Sequence, residues 1–180
     1  MANNIDDLQF ENIAKDMQWY IGSKTGPSGV YICKAKGQMQ SCTHIKTIGA
    51  RNVSALAVDS KGKFVYAGFG GGNNIQVIDT ETHAIVDSIT TAHGVSAIAL
   101  DSNDILYYGF DGATGIKIIN PVTKASVGTI TSGKISALAF DSNDILYHGY
   151  DNGFAMGAAG AINMVNTKNL SSLGAINTAH

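Results

Sequence analysis

The residues best suited to acid–base chemistry in this chain are histidines and aspartates at matching places in a repeated phrase. His148 stands where a similar segment has Tyr108, and an aspartate follows three residues after each position, Asp151 and Asp111 respectively. His93 precedes one of these segments. An imidazole beside a carboxylate can bind a ligand or transfer protons near neutral pH. The alternative is that these polar groups are satisfied within a contact between packed elements. We assign no catalytic residue.

Two cysteines, Cys33 and Cys42, flank the tip of a predicted hairpin. A two-residue turn at Gly37-Gln38 would place them opposite each other on adjacent strands, close enough for a disulfide. Two reduced, packed thiols are the alternative, and the redox compartment that decides between them is not encoded here. A metal site is not expected, because two cysteines without neighbouring histidines lack a set of ligands.

Two identical acidic segments, residues 101–104 and 141–144, read Asp-Ser-Asn-Asp and offer oxygen atoms of the kind that calcium binds. Both are predicted turns, where Asp and Asn side chains cap backbone amides. The related segment at 59–62 keeps the turn pattern and lacks the final acidic residue. We therefore interpret these segments as turns, and expect neither a metal nor a cofactor.

An insertion at residues 152–161 is rich in Ala and Gly and carries Phe154 and Met156. An exposed apolar loop of this kind often contacts a partner protein or a second copy of the same chain. The alternative is that the loop folds over the edge of its own sheet. The sequence leaves both interpretations open.

Composition limits the class of protein. The chain has 180 residues, 44% of them apolar, which is enough for the core of a single domain over 1–180. Only 14% of residues are charged and the net charge is −2, so a nucleic-acid partner is not expected. Residues 1–7 lack the features of a secretory signal, and no stretch is long and apolar enough to span a bilayer. A cytoplasmic location is the default, with export or surface display as the alternative.

A repeat of about 40 residues organises the chain. Residues 95–111 and 135–151 are identical at 12 of 17 positions, a third copy begins at Val53, and a degraded copy precedes it, with 8–10 aligned to 56–58. Each copy contains four short β-type runs separated by Asp, Asn, Gly and Ser clusters. In one copy these runs are 95–100, 105–110, 115–120 and 125–130. Four strands per repeat of this length predict an all-β fold, a β-propeller with four four-stranded blades.

The repeat also resembles a known group. Residues 74–82 (Asn-Ile-Gln-Val-Ile-Asp-Thr-Glu-Thr), followed by Ala-Ile-Val at 84–86, are similar to the YVTN-type repeat of lactonase-like and bacterial surface propellers. Val65-Tyr66-Ala67-Gly68 matches another part of that pattern. The resemblance covers nearly the whole chain and implies a propeller fold. It places no catalytic residue of the lactonase-like enzymes on this sequence.

The predicted blades span approximately 5–49, 53–90, 95–131 and 135–177. Four blades can close alone, or two chains can complete a larger ring as a homodimer. An open arc would leave two apolar blade faces in water, which a soluble monomer avoids. Because residues 176–180 nearly repeat 89–93, another blade could follow the fourth.

The loops that join second to third strands, and those that join blades, lie on one face of a propeller, together with the mouth of its channel. His93, Asp111, His148 and Asp151 belong to these loops or strand ends. We expect a non-enzymatic interaction or scaffolding module, bound to a protein partner or to itself. The alternative is a small lactonase-like hydrolase, or a carbohydrate binder, that uses the central channel.

Overall fold

The computed structural model describes residues 18–23, 29–35, 42–48, 52–110, 114–151 and 161–177. These residues form fifteen β-strands in four antiparallel sheets, and no α-helix occurs among them. Accordingly, the described chain has no helix with the length and hydropathy needed to cross a membrane. The four sheets follow one another along the chain, as expected of propeller blades.

The strands of each sheet are consecutive in sequence. The first sheet contains β1 (Gln18–Ser23), β2 (Gly29–Ala35) and β3 (Cys42–Ile48). The second contains β4 (Val53–Val58), β5 (Phe64–Phe69), β6 (Asn74–Asp79) and β7 (Ile85–Thr90). The third contains β8 (Val95–Leu100), β9 (Leu106–Phe110), β10 (Ile116–Ile119) and β11 (Ser126–Ile130). The fourth contains β12 (Lys134–Phe140), β13 (Ile145–Asp151), β14 (Ala161–Asn166) and β15 (Ser171–Asn177).

The four strands predicted within residues 95–130 are confirmed to within one residue at each end. Short runs of β-branched and aromatic residues between turn clusters were sufficient to locate them. The inner strand predicted near residues 8–10 for the first blade lies outside the described residues. The first sheet therefore has three described strands, and each of the others has four.

Each sheet has a front face towards the following blade and a back face towards the preceding one. Side chains alternate between these faces along every strand, because the β-strand repeats every two residues. The three hydrophobic clusters of the protein each combine the front face of one blade with the back face of the next. The core therefore lies at the blade boundaries.

Glycines in the second strand of each blade let neighbouring blades approach closely. A Cβ atom built at Gly22, Gly68 or Gly109 would lie 2.4–2.7 Å from a side-chain atom of a residue at the start of the next inner strand. These residues are Val53, Val95 and Ile135, the first β-branched residue of each strand. A β-branched side chain thus fills the space that each glycine leaves open, and the same contact recurs at three boundaries.

Hydrogen bonds repeat at the same boundaries. The Ser96 hydroxyl donates to the carbonyl oxygen of Ile135 at 2.7 Å, and the Ser54 hydroxyl donates to that of Val95. These bonds join the inner strands of adjacent blades.

A second pair of contacts joins the outer turns, and we call each one a Ser–Asp bridge. The Asp104 carboxylate accepts hydrogen bonds from the backbone N–H of Ser60 at 2.7 Å and from its hydroxyl at 2.9 Å. The Asp144 carboxylate accepts the same two bonds from Ser102 at 2.9 and 2.6 Å. These bonds from Ser102 hold the pKa of Asp144 below its usual value.

Among the described residues, no strand of the fourth blade makes an extensive contact with a strand of the first. Contacts between blades run from the first to the second, from the second to the third, and from the third to the fourth. The described part of the chain is therefore an arc whose two end blades each cover only one face.

The recurring glycine contact gives a direct test of blade packing. Replacing Gly109 with Ala places a Cβ at 2.4 Å from the Cβ of Ile135, an atom that cannot move without its strand. We expect Gly109→Ala to lower the free energy of unfolding by about 1–3 kcal/mol, because the two sheets must separate. Chemical denaturation of dilute protein measures this loss.

Gly149 is the matched control, since it holds the same position in the fourth blade. A Cβ there meets only the Ser136 hydroxyl oxygen, at 3.3 Å. Gly149→Ala should therefore leave the unfolding free energy of dilute protein nearly unchanged. Equal losses in the two variants would contradict the contact described for Gly109.

Candidate functional site

His148 lies on the back face of the fourth blade, buried at the boundary with the third. Its side chain is 4% exposed, and its Nδ1 atom lies 3.4 Å from the Ser132 hydroxyl oxygen. Burial lowers the pKa of the imidazole, because the charged form loses its hydration. The ring is therefore held in its neutral form at neutral pH, within a contact between two blades.

A cleft of about 590 Å³ opens beside this histidine. Its walls come from the end of the third blade and from the second, third and outer strands of the fourth, and they include Ser132, Asn163 and Ser172. A volume of this size is ordinary for a small-molecule site, and hydroxyl and amide groups can orient a polar ligand. The cleft is therefore the place where His148 could contact a ligand.

His93 and His148 lie at different blade boundaries. His93 is exposed in the link between the second and third blades, where its ring packs edge-on against Phe110 with centroids 5.5 Å apart. The Thr91 hydroxyl donates to its backbone carbonyl at 2.8 Å. No described contact joins His93 to His148. The two histidines thus do not form one site through described contacts.

The other predicted site residues are described only in part. Asp151 ends β13, and its backbone pairs with Lys134 at the start of the inner strand. Asp111, Phe154 and Met156 lie outside the described residues, so the predicted roles of these three stay predictions. The same holds for a direct His148–Asp151 pair.

The cysteine hairpin differs from the two-residue turn that we expected. Cys33 pairs with His44, and Cys42 pairs with Ala35, so the two cysteines are offset along their strands instead of directly opposite. The described pairing reaches Ala35 and Cys42, and residues 36–41, which include the predicted turn, lie outside the described residues. A register shift after Ile32 accompanies this offset. The disulfide stays a prediction.

The two aspartates of the turn at residues 141–144 accept hydrogen bonds from different parts of the protein. Asp141 accepts hydrogen bonds from the backbone N–H groups of Asn143 and Ile145, both at 2.9 Å, as expected of a turn-capping residue. Asp144, at the end of the same segment, binds the preceding blade instead through its Ser–Asp bridge. No group of His, Cys, Asp and Glu suited to a metal occurs among the described residues.

Sequence reasoning missed the Ser–Asp bridges. The signal was present: both copies with a final aspartate follow a copy that has Ser at the second turn position. Asp104 and Asp144 adopt left-handed backbone angles, with φ near 58° and 59°, and Gly62 takes the same conformation with φ 66°. The turn shape therefore does not depend on the carboxylate, which leaves the carboxylate available to bind the neighbouring blade.

The front face of the fourth blade exposes aliphatic positions that the repeat buries in other blades. Register places Ile162 at the position of Ile75 and Ile116, both fully buried, yet Ile162 is 38% exposed. On the outer strand, Ile176 matches Ile89 and is 49% exposed. Aliphatic side chains that the other blades bury thus face solvent here.

The serines of this face also lack the contacts with another blade that their counterparts make. Ser136 corresponds to Ser96, and Ser142 corresponds to Ser102. Neither of their hydroxyls donates to any described residue of another blade. Gly149 likewise receives no side chain from a following blade. The glycine, the isoleucine pair and the two serines that contact the next blade elsewhere are therefore all present on the fourth blade.

The buried imidazole predicts a pH effect on stability. Because the pKa of His148 is lowered in the folded state, its contribution to stability is complete above about pH 6.5 and is lost as pH falls through the folded pKa. His148→Tyr installs the residue of the third blade at this position and should remove that loss. Thermal unfolding followed from pH 7.5 to 4.5 measures it.

His93→Asn is the control, because His93 is exposed and should not contribute comparably. The pH dependence of that variant should match that of the unmodified chain. A His148→Tyr variant that loses stability as steeply as the unmodified chain between these pH values would contradict the assignment.

Comparison with known proteins identifies the fold. No protein-family model and no curated protein sequence matches the chain. Hydrazine synthase from Kuenenia stuttgartiensis superposes with a TM-score of 0.75 at 14% identity, over 92% of this chain and 47% of that one. The structure of U3-55K superposes with a TM-score of 0.59 at 15% sequence identity, over 72% of this chain and 40% of that one. The WD40 repeats of RRP9 superpose with a TM-score of 0.58 at 16% identity, over 69% of this chain and 38% of that one.

This chain therefore spans less than half the length of each of these solved chains. Sequence identities this low support a shared fold and give no information about activity. Together with four consecutive antiparallel sheets and no helix among the described residues, they show that the chain adopts an all-β, β-propeller fold built from four-stranded blades.

Proposed function

We propose that this chain is a non-enzymatic β-propeller module that binds protein through the front face of its fourth blade. The observation that carries the proposal is the exposure of Ile162 and Ile176, whose counterparts in the other blades are buried by a neighbouring sheet. The repeat itself we assign to the YVTN type, on the residues 65–68 and 74–86.

The physical argument rests on what a blade face requires. Removing apolar surface from water contributes about 25 cal/mol per Å², so uncovered aliphatic rows are sites where a second protein surface gains binding energy. Ala137 and Ala139 of the inner strand are exposed on this blade, whereas Ala97 and Ala99 are buried in the third. The uncovered surface thus continues from the inner strand to the outer strand.

Small side chains make this surface flat enough for another sheet. Alanines line the inner strand and Gly149 interrupts the second strand, so a partner backbone can approach closely. The surface carries no described charged side chain at the matched interface positions. These features favour an apolar protein partner over an ionic ligand or a nucleic acid.

Photo-crosslinking tests the assignment of this face. We replace Ile176 with the photoreactive residue p-benzoyl-phenylalanine and irradiate the purified chain, alone and in an extract of its source cells. Because Ile176 lies on the proposed docking surface, we expect a covalent protein adduct that disappears when Ile162→Lys is added. Gel mobility and mass spectrometry of the adduct provide the measurement.

Val122 is the control position. It is 84% exposed in the turn that follows β10 and is remote from the front face of the fourth blade. The same photoreactive residue at position 122 should give no adduct. Equal yields from the two positions, or no adduct from position 176, would refute the proposed docking face.

The cleft beside His148 supports a second candidate function, a small hydrolase or carbohydrate binder. Its specific basis is the 3.4 Å contact between the Ser132 hydroxyl and the imidazole at the wall of the 590 Å³ cleft. An esterase and lactonase panel, with thermal-shift measurements on simple sugars and divalent ions, tests it. Turnover that is lost in His148→Ala would replace the non-enzymatic proposal, and silence in both assays would remove this candidate.

A further inference from the structure

We propose that the protein partner is a second copy of this chain, and that the front face of each fourth blade packs on the back face of the other copy's first blade. Two chains then complete one eight-bladed ring. This inference rests on the proposed function, because it names the partner of the same docking face. Four observations carry it.

The first observation is the vacant glycine position. At three boundaries, Gly22, Gly68 and Gly109 each receive the first β-branched residue of the next inner strand, with separations that leave no room for a Cβ. Gly149 repeats the position with no side chain from another blade opposite it. The occupant that this glycine fits is thus the inner strand of another blade of the same repeat.

The second observation is the row of isoleucines on β14 and β15. Ile162 and Ile176 are a directly paired couple, as are Ile75 with Ile89 and Ile116 with Ile130. The two counterpart couples are covered by the back face of the next blade, and both belong to the hydrophobic clusters there. The fourth couple has the same chemistry and register, so a blade back face complements it.

The third observation is the pair of unused serines. Ser54 and Ser96 donate to the carbonyl of the next inner strand, and Ser60 and Ser102 bind a turn carboxylate of the next blade. The fourth blade presents Ser136 and Ser142 at these positions. A partner that used them would need a free strand carbonyl and an aspartate at the corresponding turn, which a blade of this repeat can supply.

The fourth observation comes from the opposite end of the arc. Ile21 of β1 occupies the back-face position held by Ala67, Tyr108 and His148 in the other blades. Those three are buried, while Ile21 is 48% exposed. The first blade thus has an uncovered back face, and the fourth an uncovered front face. These are the two halves of one boundary.

A two-chain ring satisfies both ends at once. Among the described residues, no strand of the fourth sheet makes an extensive contact with a strand of the first, so each of these two faces is open to a blade of another copy. Two copies related by a two-fold axis give eight blades, within the usual range of four to eight for propellers. Each copy then provides one front face and one back face, and no apolar blade face stays in water.

Light scattering after size exclusion, over a concentration series, tests the inference. We expect a mass near twice 18.8 kDa for the unmodified chain. Gly149→Ala and Ile176→Lys should each shift the mass to that of one chain, with the melting temperature of dilute protein unchanged. Val127→Lys alters an equally exposed valine on β11, away from both end faces, and should leave the dimer intact.

A mixing experiment tests the front-to-back arrangement. Gly149→Ala blocks every front face and Ile21→Lys blocks every back face, so each variant alone should be a monomer. Mixed together, they retain one intact boundary, since the front face of one variant can pack on the back face of the other. The mixture should therefore show a higher average mass than either variant alone, and an unchanged mass would overturn the arrangement.

The remaining outcomes separate this inference from the proposed function. A mass of one chain at every concentration overturns the two-chain ring. If position 176 then crosslinks to a different protein, the docking face stands and only the partner is wrong. If it gives no adduct, both proposals fail. A dimer that persists in Gly149→Ala and Ile176→Lys overturns the proposed interface.

Discussion

A sheet with two apolar faces must cover both of them, and in this protein that requirement is met by one repeated close contact. A glycine in the second strand of one blade accepts a β-branched residue from the inner strand of the next, at three successive boundaries. The clusters of buried isoleucine, valine and tyrosine side chains form only where that approach is possible. The serine bonds and the Ser–Asp bridges then fix the two sheets in register. The blade boundary is thus the folding unit, more than the single blade.

Much of the architecture followed from sequence, since a repeat of β-type runs constrains strand number and order together. The bounds of β8 to β11 were predicted to within one residue, because turn residues such as Asp101 and Asn120 delimit each run. The register in which strands pair was harder to predict from the sequence. The offset between Cys33 and Cys42 depends on a local shift after Ile32, and no composition rule reports such a shift.

The candidate site shows a different limit of sequence reasoning. The sequence alone shows that His148 departs from the repeat. It does not show the environment of the side chain, because that depends on which face of the strand carries the residue and on which blade packs there. The structure places it in the boundary between the third and fourth blades, apart from His93. The exposure of Ile162 was also beyond a linear comparison, since its sequence matches that of buried residues. The difference is that no described blade packs on the face that carries Ile162.

The Ser–Asp bridge makes the two sides of a blade different, and it therefore sets which blade can follow which. A blade that carries an aspartate at the end of its first turn fits behind any blade that carries the serine, whereas the second blade, with Gly62 there, imposes no such demand on the blade before it. The third blade has both groups, so a duplicated third blade could follow itself and form the Ser–Asp bridge again at its new junction. Gene duplication could in this way add a blade while the bond between neighbouring turns is kept.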